Sequence, residues 1–73
     1  MRRKVIGYDK TLEYLKNGYE LVRYPMHDND YIIDKETREH ITVRYDVLNK
    51  MFMNGIKFNK RMENYTTFYS LKE

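Results

Sequence analysis

With 73 residues the chain has room for one small domain, and a domain of that size buries only about 60% of the surface its unfolded chain exposes. It holds no cysteine, which excludes disulfides and thiolate metal sites, and no run approaches the ~20 apolar residues that span a bilayer. The 14 Lys and Arg against 11 Asp and Glu leave a net charge of +3, less basic than a dedicated nucleic-acid binder.

That charge is unevenly placed. Residues 1–25 carry a balance of +3, residues 26–50 one of −2 and residues 51–73 one of +2. Met1-Arg2-Arg3-Lys4 is basic, but only Val5 and Ile6 follow before Gly7, so no signal-peptide core is present. The expectation is a soluble cytoplasmic protein with no membrane contact. Residues 1–7 read as a basic arm and residues 8–73 as a single domain.

The spacing predicts a first helix over Asp9–Asn17, with Asp9 as N-cap, Glu13 in the early turns, and Leu12 and Leu15 on the apolar stripe. Asn17-Gly18 supplies a left-handed stop. Tyr19–Tyr24 alternates and is rich in strand formers, and Pro25 ends it. After a polar loop at Met26–Asp30, Tyr31–Asp34 and His40–Val43 form a hairpin about a turn at Lys35–Glu39. A second helix is predicted over Tyr45–Asn54, with Leu48, Met51 and Phe52 on one face and Gly55 as its stop. Ile56–Lys60 and Thr66–Leu71 read as strands of a final hairpin, with a turn at Met62-Glu63-Asn64.

Both helices therefore run into Asn-Gly and then an alternating strand. Superposing Gly18 on Gly55 pairs Leu15 with Phe52, Leu21 with Phe58 and Arg23 with Lys60. The predicted fold is α+β: two short helices on one face of a small antiparallel sheet of four or five strands, with an αββ-αββ pseudo-repeat as one reading of the echo. Leu12, Leu15, Leu21, Ile33, Ile41, Val43, Leu48, Phe52, Ile56, Phe58 and Phe68 are the expected core. A free edge strand would make a homodimer easy to form.

Taking Asp28 as the first position of a calcium loop puts Ile32 and Ile33 where an oxygen ligand and a glycine are required, so the motif fails. His27 and His40 lack two further zinc ligands at a suitable spacing. No phosphate loop or nucleophile–base pairing is present, and neither a catalytic role nor a metal or cofactor is expected. The acidic stretch Asp28–Glu39 is interleaved with Lys35 and Arg38, which argues against mimicry of a nucleic acid.

What remains is binding. A helix running into a basic hairpin is the layout of a winged DNA reader, and Lys57, Lys60 and Arg61 could meet phosphates while Tyr65 and Tyr69 stack. The β-branched segments upstream occupy the place where a helix-turn-helix would need helices. Arg2, Arg3 and Lys4 could join the same basic patch. Eight tyrosines, three phenylalanines and five methionines, with no alanine or tryptophan, suit a protein interface. Abundant Lys, Asn, Tyr and Ile are what an AT-rich genome encodes, a composition common in small proteins of phages and mobile elements. The sequence therefore leads to a non-enzymatic regulator or inhibitor that binds a larger host protein. The alternative is a DNA- or RNA-binding protein using the arm and the hairpin. Either reading draws on Arg2, Arg3, Lys4, Lys57, Lys60, Arg61, Tyr65 and Tyr69.

Overall fold

The computed structural model describes residues 5–72. In chain order these residues form β1 (Val5–Ile6), α1 (Tyr8–Lys16), β2 (Leu21–Arg23), β3 (Asp30–Ile33), β4 (His40–Val43), α2 (Val47–Met53), β5 (Phe58–Glu63) and β6 (Thr66–Leu71).

Each helix ends by the same device. Gly18 and Gly55 take φ of 88° and 81°, a left-handed conformation that costs glycine nothing. The N–H of Gly18 donates to the Leu15 carbonyl and that of Tyr19 to the Tyr14 carbonyl; Gly55 and Ile56 repeat this on Phe52 and Met51. These are Schellman ends, and the first carries its usual apolar contact, Tyr14 against Tyr19 at 5.1 Å between rings. The beginning of α1 differs from expectation. Gly7 is its N-cap and Asp9 lies in the first turn. Tyr8 enters the helix, where its hydroxyl accepts a hydrogen bond from Asn54, the C-cap of α2, at 2.9 Å, and buried Thr11 donates its hydroxyl to the Gly7 carbonyl at 2.7 Å.

The strands form one sheet in the order β1-β4-β3-β2-β6-β5. Neighbours are antiparallel except for β1, which runs parallel to β4 with Val5 beside Thr42 and Ile6 beside Val43. The α+β class with two helices stands, but the sheet is mixed and has six strands among the described residues rather than four or five antiparallel ones. A two-residue strand shows no period, so the pairing that takes Val5 and Ile6 out of a free arm has no sequence signal. The echo between the halves stops at the helix ends: β2 lies inside the sheet and β5 at its edge.

Side-chain alternation gives the sheet two unlike faces. Ile41, Ile32, Leu21, Tyr69 and Lys60 form one row across it, toward the helices. Ile6, Leu21, Ile32 and Val43 meet Leu15, Val47, Leu48 and Met51 there in the buried core, with Leu12, Ile41, Ile56 and Phe58 packed around them. The opposite row is Thr42, Tyr31, Val22, Phe68 and Arg61, on the face without helices. The expected core needs correction at three places. Phe52 is 46% exposed, and Ile33 and Phe68 are half-buried on the helix-free side. No helix among the described residues is long and apolar enough to cross a membrane.

Candidate functional site

The β5–β6 hairpin decides where the basic residues go. Glu63 pairs with Thr66, so the turn is two residues, Asn64 and Tyr65, with φ of 48° and 68°. Both positive angles mark a type I′ turn, whose twist matches that of the flanking strands. Lys60 pairs with Tyr69, and Arg61 with Phe68. Adjacent residues on a strand point to opposite faces, so Phe58, Lys60 and Met62 project on the helix side, while Asn59, Arg61 and Glu63 project on the other.

On the helix side lies an open hollow of about 580 Å³ lined by Phe52, Ile56, Phe58 and Tyr69, with Lys57, Lys60 and Lys72 among its walls. The three rings lock edge-on: Phe52 to Phe58 at 5.5 Å, Phe58 to Tyr69 at 5.9 Å and Phe52 to Tyr69 at 6.0 Å. A backbone hydrogen bond from Lys72 N–H to the Lys57 carbonyl, at 3.0 Å, brings the chain's last lysine to the rim. Lys57, Lys60 and Lys72 are exposed, and none of them is in an ion pair among the described residues.

Arg61 has a different fate. Its guanidinium lies 4.2 Å from the centroid of the Phe68 ring and pairs with Glu20 at 3.2 Å and with Glu63. Desolvation pulls its pKa down, the two carboxylates outweigh that, and the net displacement is upward. Arg61 is thus tied on the helix-free face. The proposed basic patch divides between faces, and Arg61 leaves the lysine set. Tyr69 also leaves the set of surface residues: at 8% exposure it belongs to the core and floors the groove. Tyr65 stands 83% exposed at the hairpin tip. Arg2, Arg3 and Lys4 lie outside the described residues.

Much of the acidic middle is occupied structurally. Asp30 is 2% exposed and takes both arms of Arg23 at 2.8 and 3.0 Å. This hydrogen bond, with the attraction of the carboxylate, raises the Arg23 pKa against the cost of desolvation. Asp34 accepts the backbone N–H groups of Thr37 and Glu36 at 3.0 and 2.8 Å, which lowers its pKa. Asp46 is held low by Lys50.

One feature of the helix-free face had no clear sequence signal. Tyr24, His27, Tyr31 and His40 gather around a hollow of about 330 Å³. The Tyr24 hydroxyl meets His40 Nε2 at 2.6 Å, and the Tyr31 hydroxyl meets His27 Nδ1 at 2.9 Å. Both imidazoles are engaged by phenols, and among the described residues no three His, Asp or Glu side chains converge as metal ligands would. The two histidines are far apart in sequence, and only the β3–β4 pairing places them around Tyr31.

No protein-family model, curated protein or solved structure matches the chain.

Proposed function

We propose that this chain is a small non-enzymatic binding protein that takes part of a larger protein into the groove of Phe52, Ile56 and Phe58, with Lys57, Lys60 and Lys72 meeting acidic groups on that partner. The observation that carries the reading is three lysines, without ion-pair partners among the described residues, around a groove whose Phe52 is 46% exposed. An apolar floor with a charged rim is how protein interfaces are built, the floor supplying affinity and the rim orientation. The phage-like composition favours a host protein as that partner and regulation or inhibition as the role.

A nucleic-acid reading is less well supported. The hairpin tip presents Met62, Glu63, Asn64 and Tyr65, with no cation among them, and Arg61 is neutralised behind it. The groove rings pack edge-on against one another, so they do not form a stacking platform for bases.

The test is capture from host-cell lysate with the wild-type chain and with Phe52→Ser, alongside fluorescence anisotropy of labelled DNA over a salt series. The expected result is a protein retained at moderate salt and lost with Phe52→Ser. Absence of such a protein, together with DNA binding that falls steeply with salt, would contradict the reading.

A further inference from the structure

We propose that the partner enters as an extended segment that adds to β5 as a new edge strand, and that this segment carries the pattern apolar–x–acidic–x–apolar. The inference rests on the reading of the groove as a protein-binding site and specifies its ligand.

Among the described residues β5 ends the sheet, paired with β6 on one side only. The Lys57 carbonyl accepts from Lys72 N–H, across to the β6 side. Backbone direction alternates along an antiparallel strand, so Asn59, Arg61 and Glu63 also turn their amides toward β6. The N–H and C=O groups of Phe58, Lys60 and Met62 then point to the free edge. Such a row is a template for another strand.

The same three residues project their side chains on the helix side. An antiparallel strand on β5 therefore sets three alternate residues opposite Phe58, Lys60 and Met62. Phe58 offers the apolar groove it shares with Phe52, and Met62 is 61% exposed. Lys60, between them, has no carboxylate partner among the described residues. The matching residues are apolar, acidic and apolar, an order that reads the same in either direction. On the other face Arg61 already holds Glu20 and Glu63, so the intervening positions need only be polar and neutral.

Charge disfavours a second copy of β5 paired about the middle of the strand. Self-pairing about Lys60 sets that lysine opposite its own copy, and moving the axis one residue sets Arg61 opposite Arg61. Like charges directly opposite are destabilising.

The experiment uses the isotope-labelled protein and the peptide acetyl-Ser-Leu-Ser-Glu-Ser-Leu-Ser-amide, followed by NMR. The peptide is expected to slow amide exchange at Phe58, Lys60 and Met62. Replacing its glutamate by lysine is expected to weaken binding about tenfold. Methylating its leucine and glutamate nitrogens is expected to abolish the protection. A peptide that shifts the Phe52 and Phe58 ring signals without protecting the three amides would overturn strand addition and leave the groove reading standing. A peptide that changes neither, while an oligothymidylate shifts Lys57, Lys60 and Lys72, would overturn both. Protection already present in the free protein and rising with its concentration would identify a second copy as the occupant and overturn the proposal.

Discussion

Tyr65 occupies the left-handed region with φ of 68°, beside Asn64 at 48°. Asparagine tolerates that region, whereas tyrosine clashes there at a cost of about 1–2 kcal/mol. Tyr65→Gly is therefore expected to stabilise the chain by about 1 kcal/mol, read from urea unfolding. An unchanged midpoint would mean that the turn carries no strain. Arg23 and Asp30 make the opposite case. Removing the arginine strands a carboxylate that is 2% exposed. Arg23→Met is expected to cost about 3 kcal/mol, at the low end for a buried pair because the arginine is 40% exposed. The double variant Arg23→Met/Asp30→Leu should recover most of that loss in the same unfolding assay. Such pairs are hidden in the sequence, where Asp30 reads as one more polar loop residue. Only the β2–β3 register brings it beside Arg23.

At the scale of elements, legibility followed length and local chemistry. His40–Val43 and Thr66–Leu71 are strands over the expected residues, since β-branched and aromatic side chains favour the pleat. Both glycine stops are where Asn-Gly placed them. The helix starts were less legible, because caps compete: Gly7 serves α1 while Asp9 sits in its first turn. The β3–β4 turn also carries a titration. Hydrogen bonds from Thr37 and Glu36 hold the Asp34 carboxyl below its unfolded value of about 3.9. A lowered folded pKa contributes stability that is present above the unfolded value and lost as pH falls through the folded one. Acidification below about pH 4 is thus expected to loosen this turn. Asp34→Asn should flatten the acid limb of a thermal-unfolding profile. An identical acid limb in the variant would count against the account.

Across the whole molecule the sheet sorts charge by face. Arg61 is neutralised on the side without helices, whereas Lys60 stands without an ion-pair partner among the described residues on the side with the groove, whose walls also include Lys57 and Lys72. Part of this could be read in advance. Ile56 and Phe58 point inward, so Lys60 is in phase with them and Arg61 is not. Tyr69 misled for a physical reason: a tyrosine can bury its ring and keep its hydroxyl near water, so the residue type does not declare its side. The joining of Lys72 to the groove was invisible, since it depends on β5–β6 pairing. The direct test of the sorted charge is calorimetric titration of the acetyl-Ser-Leu-Ser-Glu-Ser-Leu-Ser-amide peptide into two single variants. Lys60→Glu is expected to weaken binding about tenfold, and Arg61→Glu to change it by no more than about twofold. Equal losses in both variants would contradict the division of the basic residues between two faces.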